Sequence, residues 1–155
     1  MGLRERMKQT MAHYEEKVGT EQLLPIERSL KLETGINQTI TVKQYDNLSR
    51  VIKLSITHED NTPIGLSDGS VYLICQDNSN YIHKIEGIVS PTQTNVVSFT
   101  LKKENLTTVG ELKCEVVKVV ENDYTLSFPI FTINVVASIY DDNILKYDPE
   151  YFQYL

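Results

Sequence analysis

Between residues 37 and 137 apolar side chains return at every second position, with polar ones between them. Successive side chains of a strand point to opposite faces, so a period of two predicts strands. The inward rows are Ile40 and Val42; Ile52, Leu54 and Ile56; Val71, Leu73 and Cys75; Val97, Phe99 and Leu101; and Leu112, Cys114 and Val116. A short irregular stretch from Tyr81 to Ile88 and a last strand from Tyr124 to Val135 complete about seven strands. Polar rows oppose the apolar ones: Thr41 and Lys43, Lys53 and Ser55, Ser98 and Thr100, then Glu111, Lys113 and Glu115. One wet face per sheet predicts an antiparallel β-sandwich with its two layers packed on their dry faces. A parallel α/β fold would need strands apolar on both faces and helices between them, and the sequence has neither.

The punctuation fits that reading. Turns are expected at Tyr45–Leu48, Glu59–Pro63, Gln76–Asn80 and Glu121–Asp123. Ile64 and Leu66 are expected to drop into the core between two turns. The last strand changes phase from Leu126, Phe128 and Ile130 to Phe131, Ile133 and Val135, which calls for one extra residue beside Pro129. Gly110 is expected to adopt a backbone conformation that other residues resist, just before Leu112 opens its strand.

The flanks follow different rules. Leu3, Met7, Met11, Tyr14 and Val18 recur at spacings of three and four, which predicts an amphipathic helix over residues 2–18, stopped by Gly19. Residues 20–36 sustain no period and read as a linker with Pro25 and Gly35 in it. The expected organisation is therefore a helix at 1–19, a linker at 20–36, the sandwich at 37–137 and a tail at 138–155. That tail places Tyr140, Tyr147, Tyr151, Phe152 and Tyr154 among Asp141, Asp142, Asp148 and Glu150. Side chains that join apolar bodies to polar tips suit an interface that also meets water. The candidate interface residues are thus Leu3, Met7, Met11, Tyr14, Tyr140, Tyr147, Tyr151, Phe152 and Tyr154. The alternative for each flank is a lid lying on its own domain.

No residue pattern carries catalysis. The chain has no Gly-rich phosphate loop, no HExxH and no GxSxG. His13, His58 and His83 are scattered and read as ordinary surface residues. Cys75 and Cys114 fall at inward positions, where a thiol acts as a small buried hydrophobe. No cofactor or metal is expected. Lys and Arg total 15 against 21 Asp and Glu, a net charge of -6 that disfavours nucleic acid as a partner. No apolar run is long enough to span a bilayer. The N-terminus lacks the apolar stretch of a signal peptide, so synthesis in the cytoplasm is expected. Sandwiches also bind sugars on exposed aromatics; here Tyr72, Tyr81 and Tyr124 are the available residues, without Trp.

The stretch from Gln38 to Val135 resembles the N-terminal domain of phage baseplate upper proteins, from siphophages and prophages of Gram-positive bacteria. The resemblance rests on Arg50-Val-Ile-Lys-Leu-Ser-Ile56 and on Pro63-Ile-Gly-Leu-Ser-Asp-Gly-Ser-Val-Tyr-Leu73. It continues through Val97-Ser-Phe-Thr-Leu101, then Leu106-Thr-Thr-Val-Gly-Glu-Leu-Lys-Cys-Glu-Val116, and closes on Ser127-Phe-Pro-Ile-Phe-Thr-Ile-Asn-Val135. It implies an immunoglobulin-like sandwich, a non-enzymatic structural or adaptor subunit of the virion's tail baseplate, partners among other tail proteins, and a homo-oligomer. The alternative function is a module that binds carbohydrate or another surface ligand.

Overall fold

The computed structural model describes residues 24–36 and 38–139. Its ten strands are β1 (Ile26–Lys31), β2 (Ile40–Lys43), β3 (Arg50–Thr57), β4 (Ser70–Gln76), β5 (Ile82–Glu86), β6 (Ile88–Val89), β7 (Val96–Leu101), β8 (Gly110–Val120), β9 (Tyr124–Ser127) and β10 (Phe131–Val136). One sheet runs β1-β3-β7-β6. The other runs β2-β10-β8-β4-β5, with β9 also paired to β8. The expected inward rows all meet between the sheets in one buried cluster, together with Leu30, Leu66, Leu106, Phe128, Phe131, Ile133 and Val135. Leu66 enters the core as expected, and Ile64 packs against it.

Two expectations are corrected. The sandwich has ten strands rather than about seven, and it is mixed rather than wholly antiparallel. β1 pairs parallel with β3, and β2 pairs parallel with β10. The cause lies in the stretch expected to be a linker. Residues 26–31 ascend as β1 in the first sheet, the chain crosses and descends as β2 in the second, then returns as β3. Two strands separated by one excursion to the opposite sheet must run the same way. Arg28 stands in β1's half-buried row between Ile26 and Leu30, and a cation there hides the period of two. Its guanidinium donates to the carbonyl oxygens of Glu27 and Thr39 at 2.8 and 3.1 Å. Leu30 is fully buried, so the sandwich begins at or before Ile26 and not at residue 37.

The other local expectations are met. β9 and β10 both pair antiparallel with β8 but in registers one residue apart. Ser127 faces Val117 and the Phe128 amide donates to Val116 O, whereas Phe131 faces Cys114. The step at Pro129 therefore inserts one residue, and the strand stays within its sheet. Gly110 opens β8 at φ 118°, and a Cβ there would collide with the Asn78 side chain. The irregular stretch after Tyr81 resolves into β5 and β6 in different sheets. Gly87 carries the chain between them, where a Cβ would approach Phe99 and Val97 within 2.6 Å.

Candidate docking interface

Strand directions place both flanks at one end of the sandwich. β1 enters with Ile26 beside Ile52, near the start of β3. β10 leaves with Val136 beside Lys43, the last residue of β2, and the Gln44 amide donates to Val136 O at 2.8 Å. The loop from Gln44 then leads directly into Arg50 and β3. Residues before Leu24 and after Ile139 thus join the fold at the same end, which we call the terminal end.

Three loops build that end: 44–49, 77–81 and 102–109. Tyr45 N donates to Leu106 O at 3.1 Å and Leu48 N to Leu101 O at 3.0 Å. Gln44 Nε2 donates to Thr107 O at 2.7 Å, and Lys103 N donates to Asn47 Oδ1 at 3.1 Å. Asn105 Oδ1 accepts from Lys102 N at 2.8 Å, holding the 3-10 turn over Lys103–Leu106 whose Leu106 is fully buried. Asn78 Nδ2 donates to Val109 O at 3.2 Å. The 77–81 loop wraps the buried carboxylate of Asp77, which accepts from Ser79 N, Ser79 Oγ and Tyr81 N at 2.9, 2.6 and 3.1 Å. His83 Nε2 stands 3.0 Å from Asp77 Oδ2, and His83 Nδ1 stands 3.4 Å from Asn105 Nδ2. The tautomer with hydrogen on Nε2 donates to Asp77 and accepts from Asn105. Burial alone would raise the Asp77 pKa, but these hydrogen bonds outweigh it and hold the carboxyl down at about 2.

This rigid frame presents apolar side chains outward. Leu24, Leu48, Tyr81, Ile82, Val109, Val136 and Ile139 are all exposed there, Leu48 by 58% and Ile139 by 98%. Clustered apolar exposure of this kind usually marks a contact surface. The backbone adds a second sign. Positive φ occurs at Asn61, Asn80 and Asn122, a residue type that tolerates it, but also at Tyr45 (67°) and Leu48 (59°). Both bulky exceptions lie in the one loop that holds Leu48 out, and strain of this kind collects at functional surfaces.

The opposite end is acidic. Its loops carry Glu33, Glu59, Asp60, Asp68, Glu121 and Asp123, with Lys31 and Lys118 on the adjoining strands β1 and β8. The loops of the terminal end carry Lys102 and Lys103 against Asp46 and Glu104, besides the buried Asp77. At the acidic end most polar groups satisfy one another, although the buried Thr57 Oγ1 has no partner. Lys118 sits at an inward position of β8, 3% exposed, and its ammonium donates to Asp68 Oδ1, Gly65 O and Tyr124 Oη at 2.7, 2.9 and 2.8 Å. Glu33 accepts from the Glu59 amide at 2.8 Å and lies 2.9 Å from His58 Nδ1. That contact with His58 is the main reason its pKa is lowered.

The residues with chemical potential are accounted for structurally. Cys75 and Cys114 face each other across β4 and β8, buried, with their sulfurs 3.3 Å apart and unbonded. The hydrogen bond shared with Cys75 and then burial push the Cys114 thiol far up, which favours its protonated form. His83 is a correction: expected at the surface, it is buried against Asp77. Among the described residues no group of three or more His, Cys, Asp or Glu could hold a metal ion. The three tyrosines considered for sugar binding share no face. Tyr72 points outward from β4 under the Lys84 ammonium, Tyr81 packs on His83 and Tyr124 takes the Lys118 hydrogen bond. All nine candidate interface residues read from the sequence lie outside the described residues. The apolar residues of the terminal end were not among them. Their signal is faint: Leu48 and Val109 are apolar residues inside stretches that otherwise read as turns.

The chain matches the BppU N-terminal domain family over residues 17–155 and belongs to it. It is a non-enzymatic structural domain of a phage tail baseplate protein, part of the virion, and its partners are other tail proteins. Among solved structures it is similar to the N-terminal domain of phage TP901-1 ORF48, with 12% identity and a TM-score of 0.58, covering 72% of this chain and 97% of that one. That likeness concerns the fold. CopC from Methylosinus trichosporium OB3b is more distant, with 7% identity and a TM-score of 0.39, covering 67% and 91% of the two chains, and carries no argument. No curated protein matches the chain in sequence.

Proposed function

We propose that this domain docks onto neighbouring baseplate proteins through its terminal end, with the two flanking segments as part of the contact. The observation that carries this reading is the coincidence of three features at one end: both chain exits, the exposed apolar residues and the strained Tyr45–Leu48 loop. Leu3, Met7, Met11 and Tyr14 on an N-terminal amphipathic helix, and Tyr140, Tyr147, Tyr151, Phe152 and Tyr154 in the tail, extend that apolar surface. The domain is an immunoglobulin-like variant in which parallel edge strands β1 and β2 flank a mainly antiparallel sandwich, and it assembles as a symmetric homo-oligomer. An interface at the end of each copy leaves the sheet faces polar.

Sedimentation velocity of the full chain, alone and mixed with the tail proteins encoded beside it, tests this. Wild type is expected to sediment as an oligomer or a complex, and Leu48→Glu with Val109→Glu as a folded monomer. Unchanged association of that double variant would reject the terminal end as the docking surface.

A further inference from the structure

We infer that Cys75 and Cys114 are an oxidation site, a dithiol that peroxide closes into a disulfide once the domain has left the reducing cytoplasm as part of the virion. Docking at the terminal end neither requires nor excludes this bond. The backbone supplies the first observation. The Gly87 amide donates to Val71 O, and the Asp77 amide donates to Tyr81 O. The main-chain groups of β4 at odd positions, Cys75 among them, therefore face β5. On β8 the Phe128 amide donates to Val116 O, so Cys114, two residues earlier, turns its main chain toward β10. Cys75 and Cys114 oppose each other in the β4–β8 register with neither main chain directed at the other. They form a non-hydrogen-bonded pair, in which opposed Cα atoms lie about 4.5 Å apart and side chains come closest. A disulfide spans Cα separations of about 4.4–6.8 Å, so the strands need not move. The second observation is the thiols themselves, fully buried with their sulfurs 3.3 Å apart.

One peroxide serves one pair. A thiolate sulfur attacks a peroxide oxygen, the O–O bond breaks, hydroxide leaves and a sulfenic acid remains. The second sulfur then attacks the first, the S–O bond breaks and the S–S bond forms. The two thiol protons leave with the two oxygens as water. Each sulfur gives one electron and the peroxide takes both. Hydrogen peroxide is scarcely larger than water, so it enters a dry core during local opening that would not admit a bulky disulfide reagent. Cytosolic reductants keep such a pair open, whereas disulfides persist at virion surfaces. The bond staples β4 to β8, the strand that runs from Gly110 at the terminal end to Val120 at the acidic end.

Mass spectrometry and thiol counting of the full chain test this. Protein purified under reductant and then treated with hydrogen peroxide is expected to show no free thiol in denaturant. It should yield one peptide pair joined through Cys75 and Cys114, lighter by two hydrogens than the separate peptides, from protein that remains a single chain on a non-reducing gel. Two persistent thiols, cysteine peptides that retain oxygen, or a bond between two chains would overturn the inference. In virions carrying the domain, a maleimide applied in denaturant without reductant is expected to label neither cysteine, and labelling of either overturns closure after release. Because the bond ties residues 39 apart, oxidised protein should unfold at about 1–2 M more urea than reduced protein, a gap that dithiothreitol erases. Cys75→Ala treated with peroxide should show no such rise. Equal midpoints for the two forms of wild type, or an equal rise in Cys75→Ala, would reject the staple.

Discussion

The two ends of this sandwich each combine hairpins with loops that cross between the sheets, yet they resolve their side chains in opposite ways. At the acidic end an inward-row cation, Lys118, reaches three oxygens and ties the loop holding Gly65 and Asp68 to Tyr124 of the next hairpin. At the terminal end the Asp77–His83 pair lies beneath the surface, the Asn105 and Asn47 hydrogen bonds brace the loops at the surface, and apolar side chains are left outside. Polar groups that saturate one another close an end against further contact. Polar groups that brace a frame leave its outer surface free to bind while keeping its shape. The acidic end is thus a finished surface and the terminal end an unfinished one.

Both ends stand on the same core, and the largest expected effect is common to them. Phe99 is fully buried between the sheets, beneath Gly87. Phe99→Ala should cost about 3–5 kcal/mol in chemical denaturation. Amides at the two ends should lose protection together. Loss at one end alone would mean that the ends are separate folding units, and the comparison would break.

Lys118→Ala is the next largest and should separate the ends. It strips the Gly65 carbonyl and the Tyr124 hydroxyl of a donor and exposes the apolar slot that the lysine stem filled. We expect a loss of about 2–3 kcal/mol, with faster amide exchange in residues 64–69 and 121–124 and none in 44–49. The pKa of Lys118 is raised because the Asp68 and Tyr124 hydrogen bonds outweigh burial, the largest single influence, which acts to lower it. A raised pKa stabilises the fold below the unfolded value, and that contribution is lost as pH rises through the folded one.

The terminal end has the reverse pH response. Asp77 sits at about 2 in the fold, below the ordinary carboxylate value, so its contribution is present above about pH 4 and lost as pH falls toward 2. The shift corresponds to about 2 kcal/mol. Wild type should therefore destabilise between pH 5 and 2 by about that much more than Asp77→Asn, as read from urea midpoints at each pH. Equal acid sensitivity of the two proteins would show that Asp77 does not brace the terminal loops.

How much of this was legible in the sequence follows from which forces leave a period. The inward rows of β3, β4, β7 and β8 were readable because every second residue is apolar and nothing interrupts the alternation. The one-residue slip at Pro129 and the special backbone of Gly110 were readable because each breaks a pattern at a residue with a known steric reason. β1 was not, because Arg28 occupies its inward row and solvates its head on neighbouring carbonyls. Parallel pairing was not, because it depends on which sheet the chain visits between two strands. At the terminal end His83 was misplaced, while Leu48 lies in the turn expected at Tyr45–Leu48 but was not read as a contact residue. A loop residue's exposure is decided by long-range hydrogen bonds such as Lys103 to Asn47 and His83 to Asp77, and these leave no trace in local spacing.

The smallest expected effect is the most diagnostic of the difference between the ends. Leu48 is held at φ 59° with more than half of its side chain in water, so it loses backbone energy and gains little burial in the free domain. Asn tolerates that conformation, as the three asparagines at positive φ elsewhere in the molecule illustrate. Leu48→Asn should therefore stabilise the protein by about 0.5–1 kcal/mol in urea titration. The same change removes an apolar contact and should weaken association with the baseplate partner in sedimentation. A residue whose replacement raises stability and lowers binding is retained for the contact and not for the fold. At the acidic end no single change is expected to split the two measurements, because its side chains are spent on one another. If Leu48→Asn lowered stability, or left association untouched, the terminal end would be as self-contained as the acidic one, and the strained loop would have to be explained by folding alone.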